Sequence, residues 1–312
     1  MIILGDRYTF SKIELERLKK RFSTINHISY KNMGIQKSIN CVQNELNRTN
    51  ATLIVLNTKA KLPHKFVSYL SKLEIKGVKY ITLEHFLEKY LNKCYISHDS
   101  KSNSLLDEIH TYTPFQYCQK RVLDYIAVIA LFPITLIAIF YTWTRIKQES
   151  PGPLFFKQKR VGITEREFTC IKLRSMHIDA EADGAKFASK DDPRAYPWGK
   201  KIRDNKLDEL IQLWNVFKGE MHFVGPRPER KIWTKEFEKD IPYYNKRHVV
   251  APGITGLAQI KYQYGSGKLD AEQKLMYDLY YIKHWSIILE IKVIWKTALF
   301  VLTKKREDLS NF

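Results

Sequence analysis

The 312-residue sequence contains few cysteines, and they lie far apart. The four cysteines form no Cys-x-x-Cys pair, which argues against a disulfide framework and against a zinc site. They are Cys41, Cys94, Cys118 and Cys170. A His-Glu-x-x-His motif is also missing among the nine histidines. This cysteine usage fits a reducing, cytoplasmic environment best.

Several nucleotide-binding and metal-binding motifs are incomplete. Gly5 stands alone after the first apolar run, without the Gly-x-Gly-x-x-Gly loop that a pyrophosphate needs. Asp191 and Asp192 precede Pro193, so they lack the Asp-x-Asp spacing expected of a conventional glycosyltransferase. The stretch Gly265–Lys268 suggests a phosphate loop, but residue 262 is tyrosine where a Walker loop requires glycine. The N-terminus has no basic region followed by a long apolar run, so no cleavable signal peptide is expected.

Negative charge is scarce relative to positive charge. Lysine and arginine number 52 against 33 acidic residues, which gives a net charge of +19. Such a charge favours an anionic partner, which could be nucleic acid, an anionic membrane or a phosphorylated substrate. The sequence carries no nucleic-acid-binding motif, and its basic residues cluster beside an apolar segment. Lipid or phosphate is therefore the expected partner, and nucleic acid is not.

Strand and helix patterns alternate over roughly the first 95 residues. "MIILGD" and "ATLIVLN" read as buried strands, while "KIELERLKKRF" and "HKFVSYLSKLEIKG" read as helices. "VKYITLEHFLEKYL" reads as a strand that runs into a helix. This alternation predicts a Rossmann-like α/β domain over residues 1–112, including a polar linker from Ser97 to Thr113. Without a glycine-rich loop, we interpret this domain as regulatory or structural.

One long apolar stretch follows the linker. Tyr125–Thr144 contains twenty uncharged residues, enough to cross a bilayer as a helix. Pro133 lies inside the stretch and should kink the helix. Basic residues flank both ends, whereas positive charge prefers the cytoplasmic side. These are Lys120 and Arg121 before the stretch, and Arg145 and Lys147 after it. A re-entrant helix–break–helix is therefore favoured over the alternative, a kinked spanning helix.

The next segment is basic and aromatic. "SPGPLFFKQKRVG" mixes Leu154, Phe155 and Phe156 with lysine and arginine. This composition is typical of a segment that rests among lipid headgroups. A basic surface strand is the alternative.

"NKLDELIQLWNVFKG" has the pattern of an amphipathic helix. The apolar positions recur at i, i+3, i+4 and i+7, at Leu207, Leu210, Ile211 and Trp214. Asn205 is a suitable N-cap and Gly219 a suitable C-terminal stop. Asp208 and Glu209 then fall in the first turn, where acidic residues can serve simply to offset the helix dipole.

The surrounding residues also suit phosphate chemistry. A carboxylate can attack phosphorus, and a second carboxylate can hold Mg²⁺, which screens phosphate charge. Arginines would complete such a site as bidentate phosphate clamps. The candidates are Arg203, Arg247 and Arg227, the last of which is fixed between Pro226 and Pro228.

Six motifs occur in an order that resembles the bacterial sugar transferases, the monotopic polyprenyl-phosphate phosphoglycosyl transferases. They are "KRVLD", "SPGPLFFKQKRVG", "CIKLRSM", "KLDELIQLWNVFKGEM", "FVGPRPE" and "HVVAPGITGLAQI", and the resemblance covers about Tyr117 to Thr303. It implies a re-entrant membrane helix broken near a proline, here Pro133, followed by a mainly helical catalytic domain. The N-terminal α/β region resembles the degenerate nucleotide-fold domain of larger members.

The resemblance implies a reaction and roles for individual residues. The family transfers a sugar-1-phosphate from a UDP-sugar to undecaprenyl phosphate and releases UMP. This is the first membrane step of surface glycan synthesis, as for exopolysaccharide, O-antigen, capsule or glycoprotein glycan. By the match, Asp208 is the nucleophile and Glu209 the Mg²⁺ ligand. Lys172 and Arg174 of "CIKLRSM" join Arg203, Arg227 and Arg247 as the predicted substrate-binding residues.

The expected organisation follows from these assignments. Residues 113–148 form a linker and a re-entrant membrane hairpin marked by Lys120, Arg121 and Pro133, and residues 149–312 form the catalytic domain. We expect a monotopic protein on the cytoplasmic face of the inner membrane, in contact with its lipid, and able to form a homodimer. The alternative is a membrane-surface binding protein without catalysis.

Several positions depart from the family pattern. Ile211 replaces a common proline, and Glu220 and His222 stand where aspartate and serine are usual. "KYQYGSG" replaces a common Gly-Arg-Asn near the expected substrate pocket. The sugar is therefore not predicted.

Overall fold

Two units divide the chain, Met1–Tyr95 (unit 1) and Ile96–Phe312 (unit 2). The computed structural model describes residues 1–30, 34–59, 62–98, 104–182, 184, 191–262, 265 and 267–303. Part of the predicted linker, residues 99–103, lies outside these ranges, as do residues 263, 264 and 266 of "KYQYGSG".

Unit 1 is built on a parallel four-stranded sheet with the strand order β2-β1-β3-β4. The strands are β1 (Ile2–Leu4), β2 (Asn26–Ile28), β3 (Leu53–Leu56) and β4 (Lys79–Thr82). The helices are α1 (Lys12–Lys19), α2 (Ile35–Thr49), α3 (His64–Ile75) and α4 (Leu83–Phe86), which continues as a π-helical turn, Leu87–Leu91. The predicted parallel α/β region is thus confirmed, whereas β2 and α2 were not predicted.

The carboxyl edge of this sheet is filled by the chain itself. The chain runs from β1 outward to β2 and then back across to β3, and ligands of such sheets bind outside the strands where the order reverses. There Asn57 donates from Nδ2 to the carbonyls of Gly5 at 3.0 Å and Tyr8 at 2.9 Å, and it accepts from the Tyr8 amide at 2.8 Å. A Cβ on Gly5 would lie 2.4 Å from the Asn57 carbonyl oxygen. These bonds tie the loops after β1 and β3 together at this edge of the sheet.

Unit 2 is mostly helical, as predicted. Its helices are α5 (Ser104–Glu108), α6 (Pro114–Glu149), α7 (Pro197–Asp204), α8 (Leu213–Phe217), α9 (Lys231–Asp240), α10 (Leu257–Lys261), α11 (Lys268–Lys283) and α12 (Ile287–Thr303). Strands β5 (Phe155–Val161) and β6 (Glu167–Leu173) form an antiparallel hairpin, and β7 (His222–Val224) pairs in parallel with β8 (Gly253–Thr255). The basic, aromatic segment is therefore largely a strand, and its contact with headgroups stays a prediction.

Helix α6 contains the long apolar stretch and is long and apolar enough to cross a membrane. It starts with a capping box in which Thr113 and Gln116 bond reciprocally, and it continues through Pro133. The predicted break in the helix is therefore not observed, and the re-entrant path stays a prediction. One face of α6 is buried in unit 2 near both ends. The buried residues are Lys120, Asp124, Thr135, Ala138, Thr142 and Ile146.

The basic flank before the apolar stretch packs against protein, and the membrane role of Lys120 and Arg121 stays a prediction. Lys120 is 0% exposed and donates to Glu290 Oε1 at 2.6 Å, to Tyr281 Oη at 2.9 Å and to the Val224 carbonyl at 2.7 Å. Arg121 donates to the Val216 carbonyl at 2.8 Å. Lys120 lies on the packed face of α6. The charge of Lys120 is compensated there by the buried carboxylate of Glu290.

Candidate active site

Asp208 and Glu209 lie in a 3-10 turn, Leu207–Gln212, called here the dyad turn. The predicted α-helix with Asn205 as its N-cap is wrong, because Asn205 caps the C-terminus of α7 and Lys206 then adopts a positive φ of 59°. Both acids are buried, at 7% and 8% exposure, so they do not sit at a solvated helix end.

Packing explains this geometry. Three side chains of the dyad turn, Leu207, Leu210 and Ile211, pack against a cluster of Leu173, Ile202 and Ala138. A 3-10 turn carries three residues per turn, so Asp208 lies on the same face as Ile211, which packs against this cluster. Trp214, predicted on the same apolar stripe, is 52% exposed. The predicted stop is confirmed, since Gly219 follows α8 with a φ of 82°.

Glu209 is surrounded by cations. Lys172 Nζ on β6 donates to Glu209 Oε1 at 2.6 Å, and Arg227 NH2 donates to the same oxygen at 2.7 Å. Burial alone would raise the pKa of Glu209, but the charges of Arg227 and Lys172 and their hydrogen bonds hold it well below its usual range. Glu209 is therefore an anion held in place by two predicted substrate-binding residues.

Asp208 has the opposite electrostatic environment. Burial, and then the neighbouring negative charge of Glu209, raise the pKa of Asp208, while Lys172, Lys206 and Arg203 act against this shift. Adjacent carboxylates with opposite shifts are characteristic of sites that give the two groups different roles.

Arg227 extends from a tight turn, Gly225–Glu229, called here the proline turn. The turn follows β7, whose backbone runs against the segment after Val250. A Cβ on Gly253 would lie 2.0 Å from the Gly225 nitrogen, and one on Gly225 would lie 2.8 Å from the Ala251 carbonyl oxygen. The two glycines therefore allow this close approach, which brings "FVGPRPE" and "APGITG" together.

The other predicted binding residues are not all directed at the dyad. Arg203 lies on α7, close enough to influence Asp208. Arg174 is 4% exposed and donates to backbone carbonyls, at Pro153 from Nε at 2.7 Å and at Ser150 from NH2 at 2.5 Å. Arg247 is buried and bonds to Tyr244, Asp278 and the Arg227 carbonyl. Protein groups engage both guanidinium groups here, and the role of Arg174 and Arg247 in binding substrate stays a prediction.

Gln212 is a residue of the dyad turn that the sequence did not single out. It is 3% exposed, and its Nε2 has no hydrogen-bond partner among the described residues. In a 3-10 turn it lies above Glu209, because residues i and i+3 eclipse. The sequence predicted an α-helix, in which residues 209 and 212 are less closely aligned, and therefore gave no signal for it.

The residue set suits a magnesium ion shared with substrate. The described residues contain no cluster of three or more histidine, cysteine or carboxylate ligands. Mg²⁺ bound with phosphates usually takes one or two carboxylates from the protein and its other ligands from substrate and water. The buried Asp208 and Glu209 supply such a pair, and a cation there would offset the repulsion that raises the pKa of Asp208.

Comparison with known proteins identifies relatives of unit 2. Residues 115–304 match the profile of a family described as bacterial sugar transferase. A UDP-N-acetylgalactosamine-undecaprenyl-phosphate N-acetylgalactosaminephosphotransferase from Aeromonas hydrophila is 39% identical over 206 residues, which are 66% of this chain and 48% of that protein.

Two further relatives are named for other sugars. A UDP-glucose:undecaprenyl-phosphate glucose-1-phosphate transferase from Xanthomonas campestris pv. campestris is 40% identical over 191 residues, 60% of this chain and 38% of that protein. An undecaprenyl-phosphate galactose phosphotransferase from Salmonella typhimurium is 33% identical over 200 residues, 59% of this chain and 40% of that protein. The chain thus spans less than half the length of each of these three relatives.

Proposed function

Because the chain belongs to the bacterial sugar transferase family, we propose that it transfers a sugar-1-phosphate from a UDP-sugar to undecaprenyl phosphate and releases UMP. The names of the relatives support this reaction class, and they differ in the sugar. The observation that carries the proposal is the buried dyad. Glu209 is held as an anion by two cations, while Asp208 beside it is destabilised as an anion.

Asp208 is the proposed nucleophile. A carboxylate whose charge is destabilised by burial gains more from sharing that charge with phosphorus than a solvated one does. Its oxygen forms a bond to the sugar-bearing phosphorus of the UDP-sugar. The bond from that phosphorus to the bridging oxygen breaks, and UMP leaves with the electron pair.

The second step regenerates the enzyme. An oxygen of undecaprenyl phosphate attacks the phosphorus of the sugar-phosphoryl-aspartate. The acyl phosphate bond breaks, the electron pair returns to the Asp208 carboxylate, and the lipid carries the sugar diphosphate. The product starts a surface glycan.

Lys172 and Arg227 give this chemistry its electrostatic support. Both end at Glu209 Oε1, beside the nucleophile, so both can donate to phosphate oxygens that arrive there. Glu209 would hold Mg²⁺ beside Asp208, the nucleophile. The bound ion would neutralise phosphate charge and lower the repulsion between substrate and carboxylate.

Helix α6 supports a monotopic position on the membrane. Its packed face contacts unit 2 near both ends, through Lys120 and Asp124 at one end and Thr142 at the other. The opposite face exposes large apolar side chains, such as Ile129 at 73% and Ile137 at 69%. A helix with both ends on the same globular unit has both ends on one side of a bilayer. The basic residues that flank both ends of the apolar stretch support the cytoplasmic face, because positive charge prefers that side of a membrane.

The decisive experiment uses UDP-sugar without a lipid acceptor. The purified protein with Mg²⁺ should release about one UMP per active site and gain the mass of one sugar phosphate, because the first step does not need the lipid. Asp208→Asn should lose both the burst and the adduct while remaining folded and membrane-bound. Turnover of this variant should fall by several orders of magnitude.

Other products would overturn the proposal. Release of UDP would identify ordinary glycosyl transfer, and absence of any nucleotide product across a panel of UDP-sugars would favour a membrane-surface binding protein. An active Asp208→Asn variant without an adduct on the wild type would leave the dyad as a purely structural feature.

A further inference from the structure

The proline turn is held by its backbone carbonyls. The Gly253 amide donates to the Pro226 carbonyl at 2.9 Å, and the Val161 amide donates to the Glu229 carbonyl at 2.9 Å. These bonds come from β8 and β5, so the two outer carbonyls are fixed by strand ends.

The two inner carbonyls are held by arginine side chains. Arg247 NH2 donates to the Arg227 carbonyl at 3.0 Å, and Arg160 NH1 donates to the Pro228 carbonyl at 3.2 Å. Four consecutive carbonyls, from Pro226 to Glu229, thus accept hydrogen bonds from three separate segments.

Both arginines are themselves anchored. Arg247 is 5% exposed and bonds to Tyr244 Oη at 2.7 Å and to Asp278 Oδ2 at 2.8 Å, which ties it to α11. Arg160 donates to Gln158 Oε1 at 2.5 Å on β5. Neither guanidinium is directed at the dyad, so their contacts with the turn are their main interactions with the site.

We propose that Arg160 and Arg247 are positioning residues that orient Arg227. Arg247 fixes the peptide plane between Arg227 and Pro228, and Arg160 fixes the plane between Pro228 and Glu229. This inference rests on the proposed function, because it assigns Arg227 a role at the phosphate.

The physical reason lies in what proline leaves free. Each proline fixes its own φ and restricts the preceding residue, but the peptide plane between Arg227 and Pro228 still turns with the ψ of Arg227. A hydrogen bond to the carbonyl in that plane fixes the rotation and therefore the direction of the Arg227 side chain. Because that side chain is long, a small rotation at its base displaces the guanidinium, and displacement of about 1 Å can cost about 100-fold in rate.

The test is a double-mutant cycle on kcat/KM for UMP release, with Arg247→Lys, Arg227→Lys and the double variant. Lysine keeps the charge but offers one nitrogen in place of the two, of which NH1 holds Tyr244 and NH2 holds Asp278 and the carbonyl. Arg247→Lys should lower kcat/KM by about 10-fold in the wild type and have almost no further effect when residue 227 is already lysine. Arg160→Lys should behave in the same way, and it is the less buried of the two sites.

The matched control is Lys283→Met on α11, which removes an ion pair of 2.7 Å with Glu108 away from the turn. It should leave kcat/KM unchanged. Losses that add fully in the double variants would overturn the proposal, since the arginines would then act independently of Arg227. Wild-type activity in Arg227→Lys would also overturn the proposal, because the orientation of Arg227 would then have no influence on the reaction.

A second readout separates this inference from the proposed function. Hydrogen exchange of the Gly225 amide, which donates to the Thr255 carbonyl at 2.8 Å, reports on the order of the turn without any reaction. Arg247→Lys and Arg160→Lys should speed this exchange severalfold, whereas Lys283→Met should not. Unchanged exchange in both arginine variants would defeat the positioning role even in an active enzyme. Faster exchange in a protein that releases no UMP would uphold the positioning and reject the reaction.

Discussion

Asp208 and Glu209 are neighbours in sequence, yet their surroundings push their pKa values in opposite directions. Two cations bond to Glu209. The pKa of Asp208, in contrast, is raised by burial and by the negative charge of Glu209. The positions of both acids were available from the sequence, because the carboxylate pair and Arg227 stand out there. The difference between their pKa values was not available from the sequence. It depends on the bond from Lys172 on β6 to one oxygen of Glu209, a contact across 37 residues.

Gln212 provides a test at the scale of one residue. A buried amide nitrogen without a partner costs the folded protein about 1–3 kcal/mol, so Gln212→Met, which is similar in shape and apolar, should keep or raise the melting temperature. If the amide donates to bound substrate, kcat/KM for UMP release should fall by about 10-fold at the same time. Thermal unfolding and steady-state kinetics on one preparation measure both effects.

The opposite pattern would contradict this assignment. A Gln212→Met variant that is less stable but has wild-type kinetics would make the glutamine a structural residue. Ser71→Ala, on the exposed surface of α3, is a suitable control for handling and yield.

At the scale of elements, local pattern predicted β1, β3, α1 and α3 well, because each is short and regular and lies beside its sequence neighbours. The sequence failed where tertiary contacts decide the conformation. It assigned the dyad to an α-helix, but packing of Leu210 and Ile211 onto β6 and α7 produces a 3-10 turn. It also gave no sign that Lys120 forms a buried ion pair, because its partner Glu290 lies 170 residues away.

The junction between α11 and the 3-10 helix Tyr244–Val249 should make stability depend on pH. Burial raises the pKa of Asp278 from 3.8 to about 6, and the negative charge of Glu229 adds to this shift. The positive charges of Arg247 and Lys274 act against the shift. The folded protein therefore binds this proton more tightly than the unfolded chain. This contribution to stability is complete below pH 3.8 and is lost as the pH rises through about 6.

Relative to Asp278→Asn, the wild type should lose about 2 kcal/mol of unfolding free energy between pH 4 and pH 7, since each pKa unit corresponds to about 1.4 kcal/mol. Unfolding curves of the two proteins in one detergent, taken across this range, measure the difference. The same comparison with Asp240→Asn, at an exposed aspartate on α9, is the control. A difference between wild type and Asp278→Asn that stays constant with pH would show that Asp278 is not destabilised as an anion.

Helix α6 should have both ends in the cytoplasm. Cys118 is exposed near its N-terminal end, and Gln148→Cys, in a protein that also carries Cys41→Ser, places a thiol near the other end. An impermeant maleimide should label neither position in intact cells and both positions after permeabilisation. Labelling of one end in intact cells would identify a spanning helix, and the contacts of Asp124 and Thr142 with unit 2 would then have to be broken in the membrane.

At the scale of the whole molecule, two forces can hold the protein to a membrane. The net charge of +19 attracts anionic lipid, while α6 and α12 expose large apolar side chains such as Phe140 at 65% and Trp295 at 62%. Salt weakens only the first force, since about 1 M salt screens charges beyond roughly 3 Å. The wild type should therefore remain in the membrane fraction after washing with high salt.

A variant can isolate the electrostatic contribution. Serine at Ile129, Phe132 and Ile137 removes apolar side chains that are 73%, 55% and 69% exposed, so unit 2 should stay folded while the apolar contact with lipid weakens. High salt should release more of that variant than of the wild type, because less apolar surface holds it to the membrane. Sedimentation followed by blotting of both fractions measures the outcome. Release of the wild type by salt, or equal release of the two proteins, would mean that these three side chains of α6 do not anchor the protein.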